Sequence, residues 1–264
     1  MQRRSLLGLF TLTAGLVLTL ANTPAHADDL YNTIMSRKAI RVAVPTDYAP
    51  YGSVGTDMTP RGYDIDMATL IGKKLGVKVE LIPVTAPNRI AYLQTNKADI
   101  TISSLGKTAE RAKVVDFSIA YAPFFDAVFG TKKVKATSFA ELNGKTVSVT
   151  RGSMQDQELE QMAPGAVVKR FEDNNSTLSA FLAGQVQMFA TGTTVAAALQ
   201  KMNPSLDMEL KVILANAPCY VALPKGESTL LAKINMIIRE ARTDGTIDKF
   251  SQTWLGAPAG QLPD

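Results

Sequence analysis

The sequence has very few of the side chains that enzyme nucleophiles and zinc sites most often use. It contains one histidine and one cysteine in 264 residues. His26 lies in an N-terminal segment that we expect to be removed, so the remaining chain has no histidine for a Ser-His-Asp or Cys-His nucleophile or for a zinc site. Cys219 cannot form an internal disulfide, and its apolar neighbours predict a small buried side chain. We therefore expect no metal, no cofactor and no enzyme activity of these classes.

Long apolar runs and clusters of basic residues are also missing after residue 27. No second apolar stretch is long enough to span a membrane, so we expect a soluble mature chain. No basic cluster with interleaved aromatic residues is present, which argues against a nucleic-acid partner. Hydrophobic residues make up 46% of the sequence. That content suits one large domain or two domains of about 100 residues each.

The N terminus has the three parts of an export signal. Arg3 and Arg4 precede an apolar run over 6–20, and Ala25-His26-Ala27 is a small-x-small cleavage site. Cleavage after Ala27 would leave 264 − 27 = 237 residues and lower the formal net charge from +4 to +2, because only the two arginines are lost with it. An exported chain without a disulfide fits the periplasm of a Gram-negative bacterium, which we expect, or tethering outside a cell. An uncleaved anchor is the alternative, and the sequence leaves the Sec and twin-arginine routes open.

The stretch over residues 88–118 combines features that suit an anion. An apolar strand at 99–102 runs into a loop of small residues, Ser103 to Gly106, and Thr108 then predicts the N-cap of a helix. The N terminus of a helix presents N–H groups and a positive dipole end, which together hold anions. Arg111 adds a guanidinium that fits a carboxylate bidentately. We therefore expect a carboxylate-binding corner here.

The order of predicted elements indicates an α/β chain in two lobes. Strands and helices alternate as β-α-β-α-β before residue 122, and the same order returns after residue 123. Ligands of such sheets bind at the carboxyl ends of the strands, where the loops 46–52, 84–89 and 103–111 would meet. We predict a first lobe over 28–122 and 220–264, with a loose tail from about residue 256. An inserted second lobe over 123–219 would then give two crossings that form a hinge.

Four stretches of the chain resemble a known family. They are Gly62–Ala68, Ser103–Arg111 with Asp116-Phe117-Ser118 in register after it, Arg151–Ser153 and Asp244–Thr246. In this order and spacing they are similar to family 3 solute-binding proteins, the amino-acid receptors of ABC importers. The resemblance implies a type II periplasmic-binding-protein fold in which each lobe is a mostly parallel sheet flanked by helices. It also implies a periplasmic monomer that captures an amino acid between the lobes and delivers it to a membrane permease.

The resemblance assigns roles to individual residues. Arg111 would clamp the ligand carboxylate, helped by Ser104, Gly106 and Ser153, and Tyr48 beside Asp47 would cover the ligand. Arg89 matches an arginine that faces the side chain of acidic ligands. The full predicted binding set is Asp47, Tyr48, Tyr51, Arg89, Ser103, Ser104, Gly106, Arg111, Arg151, Gly152, Ser153, Met154, Asn174, Gly192 and Thr193. Arg151 could instead be a surface residue, and Asn174 could instead cap a helix.

Two positions depart from the family pattern. The family usually has threonine or serine at position 106 and an aspartate at position 192 that holds the ligand ammonium, whereas both are glycine here. The ammonium could use Asp47 or backbone carbonyls, or the ligand could lack an α-ammonium. The arginines favour a polar or acidic amino acid and Asp47 favours a cation, so the ligand stays open.

Two other functions remain open at this point. An exported dehydratase of the same fold would act on a cyclic carboxylate of the arogenate or prephenate type, but the pattern reveals no cleft glutamate to serve as its acid. A sensor module would need a separate signalling partner. Asp64 and Asp66 are two residues apart and would point to different sides of a helix, so we expect capping or structural roles for them rather than paired catalysis.

Overall fold

The structure, a computed structural model, describes residues 30–264. The predicted export signal and its cleavage site lie outside the described residues. The helices are α1 (Leu30–Arg37), α2 (Tyr63–Leu75), α3 (Arg89–Gln94), α4 (Met154–Met162), α5 (Asn174–Leu182), α6 (Thr193–Met202), α7 (Ser228–Thr243) and α8 (Thr246–Leu255). Within this described part of the chain no helix is long and apolar enough to cross a membrane.

The strands form two five-stranded sheets and one small sheet. They are β1 (Ala39–Val44), β2 (Asp47–Tyr48), β3 (Gly52–Val54), β4 (Pro60–Arg61), β5 (Lys78–Pro83), β6 (Ile100–Thr101), β7 (Val115–Ala122), β8 (Phe125–Gly130), β9 (Thr146–Thr150), β10 (Val167–Phe171), β11 (Met188–Gly192), β12 (Glu209–Asn216) and β13 (Cys219–Pro224). Short 3₁₀ turns lie at Ala86–Asn88, Arg111–Lys113 and Ala140–Leu142.

The first large sheet has the strand order β5-β1-β6-β13-β7. Its strands β5, β1 and β6 are parallel, while β13 runs antiparallel to both of its neighbours. Helix α2 packs its apolar face, including Met67, Ala68 and Ile71, into the core of this sheet. The helix ends at Gly76, whose φ of 71° is the left-handed conformation that favours glycine at a C-cap.

The second large sheet repeats this arrangement with the order β10-β9-β11-β8-β12. Strands β10, β9 and β11 are parallel, and β8 pairs antiparallel with β11 and β12. The chain enters this sheet between Ala122 and Phe125 and returns between Asn216 and Cys219. The two crossings are neighbours, because the Ala217 N–H donates to the Phe124 carbonyl at 2.8 Å. The predicted two-lobe α/β fold is therefore confirmed.

The predicted helix after Thr108 is wrong. A single 3₁₀ turn, Arg111–Lys113, occupies this place, and β7 begins at Val115, so no length remains for an α-helix. Thr108 still caps the turn, since its Oγ1 accepts the Arg111 N–H at 3.1 Å. A turn this short has no substantial dipole, so the positive charge of this corner comes from the arginine side chain itself.

The prediction of a loose tail from residue 256 is also wrong. The Pro263 carbonyl accepts the Ala120 N–H of β7 at 3.2 Å, and the Ala259 N–H donates to Asp248 at 2.9 Å. Arg242 donates to the Pro263 and Ala120 carbonyls at 2.7 and 2.6 Å and to Asp264 at 2.9 Å. The tail thus lies along the edge strand β7, where it satisfies an N–H that the sheet itself leaves unpaired.

We expect Arg242→Ala to lower the free energy of unfolding by about 1–3 kcal/mol, because it removes charge-assisted bonds that hold the tail to β7. Urea denaturation measures the change. Arg239→Ala is the matched control. The Arg239 side chain is 58% exposed, and its Nη2 lies 4.0 Å from Asp264 Oδ2. This variant should change stability by less than about 0.5 kcal/mol. Equal effects of the two variants would contradict the anchoring role.

Candidate functional site

A cavity lies between the two large sheets, where loops of both lobes meet. Its volume is about 30 Å³, within about 450 Å³ of space between atoms that includes open solvent. The lining residues are Pro45, Asp47, Tyr48, Val84, Ala86, Arg89, Ser103, Ser104, Gly106, Phe124, Asp126, Ser153, Met154, Gln155, Asn174 and Ala217. Residues that follow β1, β5 and β6 are all present, which confirms that the ends of these strands converge here.

Two buried guanidinium groups, Arg89 and Arg111, meet at the boundary of the two lobes. Each residue is only 6% exposed. Arg89 donates to the carbonyls of Ala86, Ser103 and Gly152 at 3.0, 2.9 and 3.3 Å. Arg111 donates to the Gly106 and Gly152 carbonyls at 2.7 and 2.9 Å. Both side chains therefore bind the same carbonyl of the second lobe.

Neither guanidinium group has an ion pair with any residue in the described part of the chain. Burial lowers the pKa of both, and the positive charge of Arg89 lowers the pKa of Arg111 further, to about 9. Two adjacent buried cations with only neutral carbonyl partners form a site that an anion would stabilise.

Asp64 holds the loop that begins this corner. Its Oδ2 accepts the Ser104 N–H at 2.8 Å and its Oδ1 accepts the Tyr121 hydroxyl at 2.6 Å. The carboxyl is fully buried, and burial raises its pKa to about 7. In the same first turn of α2, Asp66 accepts the Trp254 indole N–H at 2.7 Å. The predicted structural roles of both aspartates are confirmed.

Two residues of the first lobe bind the second lobe across the cavity. The Asp47 carboxylate accepts the Asn174 backbone N–H at 2.8 Å and its side-chain amide at 3.0 Å, so it caps helix α5 from the opposite lobe. The Tyr48 hydroxyl lies 3.1 Å from Thr191 Oγ1 and accepts the Gly192 N–H at 3.2 Å. The lobes are therefore closed, and each Asp47 oxygen already accepts one hydrogen bond.

An acidic group lies on the second lobe's wall of the cavity. Asp126 of β8 is fully buried, and its Oδ1 accepts the Gln155 amide. Its Oδ2 has no donor in the described part of the protein, and neither carboxyl oxygen of Glu158 has one. Burial and the neighbouring Glu158 charge raise the pKa of Asp126 well above its usual value, while burial raises the pKa of Glu158 to about 7.

The two unusual glycines make room for side chains that close the cavity. A Cβ at Gly192 would lie 2.4 Å from Cζ of Phe124, and a Cβ at Gly106 would lie 2.8 Å from Cγ of Met154. Both distances are shorter than real contacts, so larger residues at these positions would displace the ring or the thioether. Glycine at positions 192 and 106, where the chain departs from the family pattern, therefore leaves the space that Phe124 and Met154 fill.

The structure brings most of the predicted binding residues to one place. Nine of them line the cavity: Asp47, Tyr48, Arg89, Ser103, Ser104, Gly106, Ser153, Met154 and Asn174. Arg111 and Gly152 line an adjoining cavity that Arg89 also reaches. Tyr51, whose hydroxyl donates to the Pro123 carbonyl at 3.0 Å, lies in the core behind them. The binding roles of all these residues stay predictions.

The remaining predicted residues lie elsewhere. Arg151 is on the surface, where it donates to Glu172 at 2.7 Å, which agrees with the surface alternative. Gly192 and Thr193 lie at the junction of β11 and α6, outside the lining of the cavity. Within residues 30–264 no group of three histidine, cysteine, aspartate or glutamate side chains could hold a metal ion.

Sequence reasoning missed the acidic wall. Asp126 interrupts the apolar run from Phe124 to Gly130, and a charged residue inside a buried strand was the available signal. Gln155 and Glu158 are three residues apart in α4, so both reach the same side of the helix, directly after the Gly152-Ser153 loop. Phe124 and Ala217 belong to the two crossings. The order of helices and strands does not predict where the side chains of these crossings lie.

Comparisons with known proteins agree with this geometry. Residues 40–257 match the family described as bacterial extracellular solute-binding proteins, family 3. The L-cystine-binding protein TcyJ of Escherichia coli strain K12 is 27% identical over an alignment of 261 residues that covers 97% of this chain and 96% of TcyJ.

Two solved structures extend this similarity to three dimensions. A mutant of ArgBP from T. maritima has a TM-score of 0.81 at 28% identity, covering 86% of this chain and 99% of that one. The ancestral amino-acid-binding protein AncCDT-1, described as a precursor of cyclohexadienyl dehydratase, has a TM-score of 0.79 at 32% identity, covering 85% and 99%.

We expect the free energy of unfolding to fall as the pH rises from about 4.5 to about 7, the interval over which the unfolded chain loses protons that the folded chain keeps. The folded pKa values of Glu158 and Asp64 are raised to about 7, so this contribution is complete below the unfolded values and lost at neutral pH. Urea denaturation at several pH values measures the slope of the free energy of unfolding against pH.

Glu158→Gln should flatten this slope, because the amide does not titrate. Glu160→Gln is the matched control on the same helix: its side chain is 64% exposed, so its slope should equal that of the unmodified protein. A slope unchanged by Glu158→Gln would show that this carboxyl ionises normally in the folded state.

Proposed function

The chain belongs to the bacterial extracellular solute-binding proteins, family 3, and from that premise we propose that it captures a polar amino acid between its lobes and delivers it to the membrane permease of an ABC importer. The observation that carries the proposal is the pair of buried guanidinium groups, Arg89 and Arg111, with which no carboxylate of the described residues forms an ion pair. A ligand carboxylate would supply that missing charge.

The carboxylate is the ligand group that suits this pair best. Arginine offers a planar fork of donors that matches the two oxygens of a carboxylate, and such charge-assisted bonds are about twice as strong as neutral ones. Arg89 lines the main cavity and Arg111 lies directly beside it, at the shared Gly152 carbonyl. Ser103 and Ser104, in the same loop, add polar groups to this end of the cavity.

The two lobes provide the means of capture. We divide the chain into a first lobe over 28–122 and 220–264 and a second lobe over 123–219, joined by the two neighbouring crossings. Asp47 and Tyr48 already connect the lobes across the cavity. A ligand that contacts both walls would stabilise this closed state relative to an open one, which is how a hinged receptor traps its ligand. Export to the periplasm and a monomeric state are parts of the same proposal.

The identity of the amino acid is best sought among polar candidates. TcyJ is named for L-cystine and ArgBP for arginine, and the cavity here offers both charged and aromatic lining residues. Arg89 favours an acidic or amide side chain. L-Arginine, L-cystine, L-glutamine and L-glutamate are therefore the first ligands to test.

One observation favours a second candidate, a dehydratase. Elimination of water needs an acid with a raised pKa, and Asp126 and Glu158 supply two such carboxyls beside the cavity. The likeness to AncCDT-1, a precursor of an enzyme by its description, agrees with this. Turnover of prephenate or arogenate by the purified protein, lost in Glu158→Gln, would establish it. Binding of an amino acid without turnover of either compound would support the receptor.

We expect micromolar or tighter binding of at least one amino acid, and a loss of at least about 100-fold in Arg89→Ala and in Arg111→Ala. Removing one partner of a buried ion pair costs about 3–5 kcal/mol, and each 1.4 kcal/mol is a factor of ten in affinity. Titration calorimetry measures both values.

Arg151→Ala is the control for charge alone, since that side chain is half exposed and pairs with Glu172 on the surface. The affinity of Arg151→Ala for the amino acid should stay within a factor of about two of the affinity of the unmodified protein. If both buried arginines could be replaced without loss of affinity, the ligand carboxylate would have to bind elsewhere.

A further inference from the structure

The proposed amino-acid ligand brings a cationic nitrogen that needs an acidic partner in the cavity. Position 192, where the family resemblance places an aspartate, is a glycine whose Cβ space is filled by the Phe124 ring. Each Asp47 oxygen already accepts one hydrogen bond from Asn174 in the closed state, and Asp47 belongs to the opposite lobe. The wall that carries position 192 itself offers a carboxyl oxygen to which no described residue donates.

Asp126 lies on the strand next to the position of the missing aspartate. It is the direct partner of Gly192 in the antiparallel register of β8 and β11, so its side chain leaves the sheet beside the vacant position. The residue is fully buried and lines the cavity. Its Oδ1 accepts the Gln155 amide, whereas no described residue donates to its Oδ2.

Glu158 is the acidic neighbour of Asp126, and burial together with the Glu158 charge raises the pKa of Asp126. Glu158 is 8% exposed, and neither of its oxygens meets a donor in the described chain. Two ionised carboxylates are acceptors only, so a bond between them requires a shared proton. The other charged or titratable groups that face Asp126 are Arg111, Tyr48 and Cys219, and of these only the arginine is a cation.

We propose that Asp126, backed by Glu158, receives the cationic nitrogen of the ligand, and that the pair holds one proton in the empty cavity which leaves when the ligand binds. The inference rests on the proposed receptor function. The charge balances: a carboxyl–carboxylate pair with charge −1 takes up an –NH₃⁺ group, releases H⁺ to the buffer and becomes a pair of carboxylates around one cation.

The first experiment measures the released proton. Calorimetric titrations at about pH 7 in phosphate and in Tris differ in apparent enthalpy by the number of protons transferred multiplied by the difference between the ionisation enthalpies of the two buffers. We expect up to about one proton per ligand. The probes are L-arginine, L-cystine and L-glutamine. Glu158→Gln should retain binding within about tenfold and reduce the proton release to near zero, whereas the exposed Glu160→Gln should behave as the unmodified protein does.

The second experiment tests which ligand group the pair receives. Each probe is compared with the analogue in which hydrogen replaces the α-ammonium: 5-guanidinopentanoate, 3,3′-dithiodipropanoate and 5-amino-5-oxopentanoate. Asp126→Asn should bind the amino acid about 100-fold more weakly. It should bind the analogue as well as or better than the unmodified protein does, because the unpaired carboxylate is gone. This reversal of preference distinguishes a direct contact from a general loss of folding.

Equal enthalpies in the two buffers, or an Asp126→Asn variant that keeps its affinity for the amino acid, would overturn this inference and leave the receptor function standing. Failure of all amino acids to bind would overturn the receptor function and this inference with it. Infrared difference spectra of the ligand-free protein against Glu158→Gln at about pH 7 should show the carbonyl band of a protonated carboxyl. Absence of this band would also overturn the shared proton, and this test does not depend on whether Asp126→Asn folds.

Discussion

The burial of two like charges without an ion-paired carboxylate is the constraint on which the rest of the site depends. Arg89 and Arg111 are held in place by backbone carbonyls, which orient the guanidinium groups without neutralising them. One of those carbonyls, at Gly152, belongs to the other lobe. The two guanidinium groups that would bind an anion therefore also make a contact that exists only when the lobes are closed. Binding of the ligand's charge and closure of the lobes are coupled through this one set of contacts.

The second lobe mirrors this arrangement with the opposite sign. Asp126 and Glu158 are buried with unpartnered oxygens, which is costly unless a proton or a cation is present. An amino acid carries both missing charges on neighbouring atoms, so it would relieve the unfavourable charge on both walls at once. Neutral contacts across the cavity, such as Tyr48 to Thr191, hold the walls together without competing for these charges.

The sequence predicted the architecture and most of the cavity, because both follow from local rules. Strand ends of a parallel sheet meet at one edge, so residues such as Ser104 and Arg89 were placed from element order alone. The acidic wall was not predicted, because the pairing of β8 with β11, which sets Asp126 beside position 192, is a long-range contact. The anchored tail was missed for the same reason: its partner, Ala120, lies far away in the chain.

A crystal structure of the protein grown with L-arginine, L-cystine and L-glutamine tests the central claim most directly. The account predicts one amino acid between the lobes, with its carboxylate about 3 Å from a guanidinium nitrogen of Arg89 or Arg111 and its α-nitrogen about 3 Å from Asp126 Oδ2. A ligand bound in the reverse orientation, or one that leaves Asp126 without a cationic partner, would contradict it.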